Sequence, residues 1–180
     1  MKIIAGQWRG RTMTPPPSST TRPTSARARE ALFSSLTSKL GTFEGLRVAD
    51  LFAGTGALGL EALSRGAAHC RFVENEPRAL AVLRRNVANL RAQALSEIQT
   101  SDVLQVRQAT VPFDLLFLDP PYEKGLAAPA LERLAERGWT SASTLAVVET
   151  AREQTLQPVG WNIEGERIYG AARLSFLRCH

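Results

Sequence analysis

Cysteine and histidine are scarce: two of each, Cys70, Cys179, His69 and His180, in 180 residues. Their spacing matches neither a zinc site nor a disulfide framework. His69-Cys70 reads as the opening of a strand rather than as a pair of metal ligands, so no metal is expected. No apolar run approaches the ~18 residues of a membrane-spanning helix, and the apolar stretch in Met1–Gly6 is too short for a signal peptide. A cytosolic setting away from membranes is the default expectation. Lysine is nearly missing, since 19 of the 22 basic residues are arginine. Aspartate is almost as rare, with only Asp50, Asp102, Asp114 and Asp119.

What is present suffices for one ordinary globular domain, 44% hydrophobic and 22% charged. The net charge of +5 is unevenly placed. Residues 1–40 hold seven basic groups against Glu30 alone, whereas residues 41–180 hold 15 basic and 16 acidic groups. Arginine richness alone reads as genomic base composition. Its surplus near the N-terminus reads as phosphate binding, for which the planar guanidinium fork is suited. The expected organisation is a basic extension over 1–40 and a chemical domain over 41–180.

Lys2–Ala5 and Arg11–Thr14 flank Gly6-Gln7-Trp8-Arg9-Gly10 as a hairpin would. The Pro- and Ser/Thr-rich piece at 14–21 excludes a helix or a central strand. Ser25 then caps a helix to about Leu40, with Ala28, Leu32 and Leu36 on one face and Gly41 ending it. From Leu46 onward strands and helices alternate. Strands are expected at Arg47–Phe52, Cys70–Glu74, Glu97–Ser101, Leu115–Leu118 and Leu145–Val148. Helices are expected at Leu58–Arg65, from Pro77 to about Leu90, and at Ala127–Arg137. Trp161–Arg167 and Arg173–Arg178 form a closing antiparallel hairpin. This alternation predicts an α/β fold, a doubly wound, mostly parallel sheet with helices on both faces. The exposed face of the Pro77 helix carries Arg78, Arg84, Arg85 and Arg91, read as a solvated face.

Gly54-Thr55-Gly56-Ala57-Leu58-Gly59 fits G-x-G-x-x-G between a strand and a helix, with Glu74 at the ~20-residue distance of a ribose contact. The pattern serves any nucleotide-like cofactor. Asp50 helps to choose among them: expected to face the ligand crevice, it would repel a pyrophosphate. It would favour S-adenosylmethionine, whose sulfonium and amino groups are cationic. Asp50, Asp102 and Asp119 all fall at expected carboxyl ends of strands, the edge where open α/β sheets bind ligands. Asp102 and the backbone of Val103 suit an adenine edge, and a helix cap is the equal alternative for Asp102. Asp114 lies at the other end of its strand and reads as a turn residue. In Asp119-Pro120-Pro121-Tyr122 two prolines remove amide donors, leaving the Asp119 carboxylate and the Pro120 carbonyl as acceptors. Tyr122 adds a stacking face. The set suits a planar base with an exocyclic amine.

Asp119-Pro120-Pro121-Tyr122 resembles the Asn/Asp-Pro-Pro-Tyr/Phe motif of methyltransferases acting on exocyclic base nitrogens, and Asp50–Gly59 resembles their cofactor loop. Arg9-Gly10-Arg11, Arg22-Pro23-Thr24 and Arg29-Glu30-Ala31-Leu32-Phe33 resemble the N-terminal region of the RsmD family, which methylates guanine N2 in small-subunit ribosomal RNA. The resemblance spans nearly the whole chain; Ala26 departs from it, where a polar residue is common. It implies a Rossmann-like class I methyltransferase and direct methyl transfer to a flipped base. The cofactor would be S-adenosylmethionine, held by Asp50, Phe52, Gly54, Thr55, Gly56, Glu74, Asp102 and Val103. The target base would be held by Asp119, Pro120, Pro121 and Tyr122. Arg9, Arg11, Arg22, Arg27 and Arg29 would position the RNA backbone. A monomer acting on an assembled or nearly assembled small subunit is the implied working state. Neither cysteine lies on the expected catalytic edge, so no covalent enzyme intermediate is expected.

Two other readings stay open on residues alone. A DNA adenine-N6 or cytosine-N4 methyltransferase would use the same chemistry, but about 40 extra residues are too few for an independent recognition domain. A non-catalytic RNA-binding assembly factor would keep the fold without binding the cofactor. A nicotinamide dehydrogenase is weakest, because of Asp50.

Overall fold

The computed structural model describes residues 1–16 and 26–180, with only the backbone of Glu123. Helix α1 covers Ala26–Leu40; then come β1 (Arg47–Leu51), α2 (Ala57–Ser64), β2 (His69–Glu74), α3 (Pro77–Leu90) and β3 (Ser96–Thr100). They are followed by β4 (Leu115–Leu118), α4 (Ala127–Glu136), β5 (Leu145–Ala151), β6 (Trp161–Tyr169) and β7 (Ala172–Cys179). Among the described residues the seven strands form one sheet, ordered β3-β2-β1-β4-β5-β7-β6. The first five strands pair in parallel, and β7 runs antiparallel between β5 and β6. The strand order reverses between β1 and β4, the switch point where such sheets open a ligand crevice at their carboxyl ends.

Successive strand residues point to opposite faces, and two cores follow. Val48, Phe72, Leu115, Phe117 and Val147 pack with leucines of α2 and α3 and with Leu32 and Phe33 of α1. Ala49, Leu51, Leu116, Leu118 and Val148 pack with Ala130, Leu131 and Leu134 of α4, beside Phe113 and Trp139. The doubly wound sheet expected from the sequence is the observed one, with its antiparallel hairpin at the end. One strand is longer than its apolar run. β5 continues past Val148 to Ala151, because β7 pairs with it as far as Ala151↔Ala172. Glu149 is thereby a strand residue.

The N-terminal hairpin is present, with Lys2 bridging Thr12 and the Ile3 N–H donating to the Arg11 carbonyl at 3.0 Å. It does not stand away from the domain. Ile3, Trp8 and Met13 are buried in the same core as α1, α2 and α3. Glu61 of α2, fully buried, accepts the N–H groups of Ile4 and Ala5 at 2.8 and 3.0 Å and the Arg65 guanidinium at 2.9 Å. Ser64 accepts the Trp8 N–H at 3.0 Å and donates to the Ala5 carbonyl at 2.6 Å. Gly6 takes φ +83°, and a Cβ there would stand 1.8 Å from the Ser64 carbonyl oxygen. Asn86 of α3 accepts the Thr14 N–H at 2.7 Å and donates to the Thr14 and Thr55 carbonyls. The residue-40 line therefore separates charge, while the packing runs continuously across it. The expected Ser25 cap and the Pro/Ser/Thr-rich residues 17–21 lie outside the described residues.

Glu61→Ala is expected to cost about 3 kcal/mol, because two backbone N–H groups and a guanidinium lose a charged acceptor. Chemical denaturation reads the loss. Hydrogen exchange should accelerate at Ile4 and Ala5 beyond the rest of the chain.

Candidate active site

The glycine loop leaves β1 through three left-handed residues, Phe52 at φ +59°, Gly54 at +54° and Gly56 at +79°. For Phe52 that conformation is disfavoured by roughly 1–2 kcal/mol, and such strain gathers at ligand sites. The glycines do not all serve one purpose. Nothing crowds Gly54 except its backbone angle. At Gly59 a Cβ would come within 2.4 Å of the Phe72 ring and 2.6 Å of the Cys70 sulfur, so this glycine seats α2 on β2. The Thr55 carbonyl is pinned by Asn86 at 3.0 Å.

Asp50 is expected to face the crevice. The structure corrects this: its carboxylate is 3% exposed, turned beneath the loop, and accepts the Gly59 N–H at 2.9 Å. Burial pushes its pKa up to about 8; the Gly59 N–H opposes the rise, and the charges of Asp119 and Glu74 add to it. Glu74, half-buried at the end of β2, accepts the Gly54 N–H at 2.9 Å through one oxygen. Its other oxygen takes the N–H groups of Asn75 and Glu76, each at 2.9 Å. Asp102 is exposed and accepts the Leu104 N–H at 2.7 Å, capping the short turn Val103–Gln105. The capping role weighed for Asp102 is the one its carboxylate performs here, and Val103 is buried. Asp114 accepts the Arg47 N–H at 2.8 Å at the far end of the sheet, as a turn residue would.

Asp119 follows β4 and opens to the cleft while protein crowds it on the other sides. It shares a face with Leu115 and Phe117 by the period of two. Beside it stands Glu149 of β5, since Leu118 pairs with Val148 in the parallel register. The two carboxylates border one notch with Leu32 of α1, Leu58 of α2 and Leu174. Partial burial and the Glu149 charge raise the Asp119 pKa to about 7. The Tyr122 hydroxyl donates to Glu149, while its ring is 41% exposed at the cleft. Pro120 is buried and Pro121 exposed. Glu74, Asp50, Asp119 and Glu149 thus stand on four adjacent strands, β2, β1, β4 and β5.

Glu149 and Asn86 are not singled out by residue pattern. Glu149 has a local signal: an acid closing the apolar run 145–148, just as Asp119 closes 115–118. Asn86 looks like any polar residue within a helix. Among the arginines, Arg9, Arg11 and Arg27 are exposed. Arg11 also donates to the carbonyls of Asn89 and Leu90 at the end of α3. Arg29 is corrected: it is 2% exposed and donates to the Lys2 carbonyl at 2.9 Å, so its side chain braces the arm instead of meeting RNA. Burial lowers its pKa, and the nearby Glu61 charge opposes that. Arg22 lies outside the described residues. Cys70 is buried within β2, and burial pushes its thiol well above the usual range.

Because the Glu149 charge raises the Asp119 pKa, Glu149→Gln should lower it. A carboxyl-carbon NMR titration should find the Asp119 midpoint near 7 in the native chain. The variant's midpoint should lie nearer the ordinary carboxylate range, and an unmoved midpoint would separate the two groups.

A family model described as Conserved hypothetical protein 95 matches residues 1–178. The chain is 36% identical over 172 residues to Ribosomal RNA small subunit methyltransferase D of Escherichia coli strain K12, covering 94% of this chain and 85% of that protein. It is 38% identical over 175 residues to the protein of the same name from Haemophilus influenzae, covering 94% and 89%. The solved structure of yhhF from Escherichia coli superposes with a TM-score of 0.85 at 34% identity, covering 100% of this chain and 98% of that one. With the family model spanning all but the last two residues, the chain belongs to the Conserved hypothetical protein 95 family, the RsmD family that its motifs resemble.

Proposed function

We propose that this chain transfers a methyl group from S-adenosylmethionine to the exocyclic N2 of a guanine in small-subunit ribosomal RNA. The observation that carries the reading is the row of carboxylates across β2, β1, β4 and β5, with the glycine loop at one end and Asp119-Pro120-Pro121-Tyr122 at the other. Relatives of 36% and 38% identity named as small-subunit ribosomal RNA methyltransferases support the substrate class.

The residues fit the cofactor. Glu74 and Asp119 each lie close enough to Asp50 for their charges to act on it, so a cation is favoured there and a pyrophosphate is disfavoured. When bound, S-adenosylmethionine supplies a methyl group on a positively charged sulfur, which is an electrophile. Glu74, with one acceptor site left beside its three backbone N–H partners, would take a ribose hydroxyl; Asp102 and Val103 would border the adenine, and Phe52, Gly54, Thr55 and Gly56 would shape the loop around the methionine portion. Asp50 acts from below: it accepts the Gly59 N–H and so holds the first turn of α2.

On the base side Asp119 and the Pro120 carbonyl accept the two amine hydrogens. The amine lone pair, conjugated into the ring when planar, is thereby turned toward the methyl group. Tyr122 stacks on the ring of the extruded base. In the transfer the methyl group would leave the sulfur, which becomes a neutral thioether, and the proton displaced from the amine would pass to Asp119, whose pKa near 7 suits it to accept and then release a proton at neutral pH. Positioning supplies much of the rate, and no cysteine takes part.

Arg9, Arg11 and Arg27, with Arg22, meet RNA phosphates, which set register and orientation rather than sequence. The proposal includes an assembled or nearly assembled small subunit as substrate, a monomeric enzyme and a cytoplasmic setting. Among the described residues no helix is long and apolar enough to cross a membrane.

Asp119→Ala should lower methyl transfer to small subunits by at least ~100-fold while calorimetry finds cofactor binding retained. Loss of cofactor binding in a folded variant would move Asp119 out of the base pocket. Replacing Arg9 and Arg27 together by alanine should weaken RNA binding and reduce the salt slope by about one for each phosphate no longer neutralised. An unchanged slope returns them to a structural role.

A further inference from the structure

Glu149 is left unassigned by that mechanism, yet it occupies the base notch. The parallel register sets it beside Asp119, and both carboxylates border the notch walled by Leu32 and Leu58. The Tyr122 hydroxyl donates to it. One carboxylate would suffice to hold an exocyclic amine. A second one beside it matches a base edge with two neighbouring donors.

Guanine has such an edge, N1–H next to the N2 amine. Adenine and cytosine place a lone-pair nitrogen beside their exocyclic amines, and a carboxylate repels that lone pair. A carboxylate is acceptor-only and offers about four lone-pair sites, so Glu149 can take a base N–H while it also accepts the Tyr122 hydroxyl. Resting on the guanine-N2 reading above, we propose that Glu149 determines the choice of base. It accepts the guanine N1–H while Asp119 holds the N2 amine, and so excludes purines whose N1 carries a lone pair. Discrimination of this kind is strong, because the wrong base sets a lone pair against a carboxylate that its own ring covers from water.

The test compares two bases with the same methyl acceptor. Small subunits are reconstituted with either guanine or 2,6-diaminopurine at the target position. Diaminopurine keeps the 2-amine but has a lone pair at N1. The native enzyme should methylate guanine at least ~100-fold better in kcat/KM, as expected for a site built to hydrogen-bond a group that the analogue lacks. In Glu149→Gln the amide can donate to N1, so guanine methylation should fall, diaminopurine methylation should rise, and the ratio should shrink at least tenfold. Calorimetry with S-adenosylmethionine confirms that the variant is folded and binds cofactor. Tyr122→Phe, which removes the hydroxyl bond and keeps the carboxylate, should leave the base ratio near the native value. An unchanged ratio in Glu149→Gln, or the same ratio change in Tyr122→Phe, overturns the assignment and leaves Glu149 a support for Tyr122. A native enzyme that places no methyl on N2 of unsubstituted subunits refutes the guanine reading itself, a separate outcome read before any variant is made.

Discussion

The parallel registers of β1, β4 and β5 constrain everything that happens at the cleft. Leu51 pairs with Leu118, and Leu118 with Val148. Asp119 and Glu149 therefore end up side by side, while Asp50 lies level with Phe117, two residues deeper in the sheet. Because side chains alternate, all three share the face of Val48, Phe117 and Val147, which α1 and α2 cover. A slip of one residue in any of these strands would exchange its acid for an uncharged neighbour and turn its buried row to the other face. The core thus sets the chemistry: the same alternation that buries Leu115 and Phe117 aims Asp119 into the notch.

Crowding like charges at one edge has electrostatic consequences. Asp50 is pushed up to about 8 and Asp119 to about 7, chiefly by burial and then by neighbouring carboxylates. Backbone N–H groups offset part of the repulsion. Gly59 donates to Asp50, and Gly54, Asn75 and Glu76 donate to Glu74. The glycine loop is therefore held from below by acids as well as shaped from within by its backbone angles. A cationic cofactor and a base edge rich in N–H donors are the partners that such an edge favours.

The basic arm belongs to this construction. Glu61 and Ser64 tie its hairpin to α2, Asn86 ties Thr14 to both α3 and the glycine loop, and Leu32 of α1 forms a wall of the notch. The arm is thus joined to the glycine loop through Asn86 and borders the notch itself through Leu32. Arg29 shows the limit of reading charge as function. It counts toward the positive surplus, yet its guanidinium is buried against the arm it supports.

Strand and helix placement, the glycine loop, Glu74 and Asp119-Pro120-Pro121-Tyr122 were legible in the amino-acid order because their signals are local. Apolar runs, turn residues and motif spacing all fall within a dozen positions. Asp50 was legible as an acid of the first strand, but its turn beneath the loop depends on a donor nine residues away, the Gly59 N–H of α2. Glu149 depended on more distant partners still. β5 reaches it only because β7, arriving from the end of the chain, extends the pairing to Ala151. The tethering roles of Glu61, Ser64 and Asn86 were invisible for the same reason, since each meets a segment more than fifty residues away. By itself the sequence determined which elements form and which residues can carry chemistry, because backbone preference and side-chain period are short-range. Only the tertiary structure decided which acids become neighbours and which arginines face solvent, because strand order and packing join residues that the chain keeps far apart.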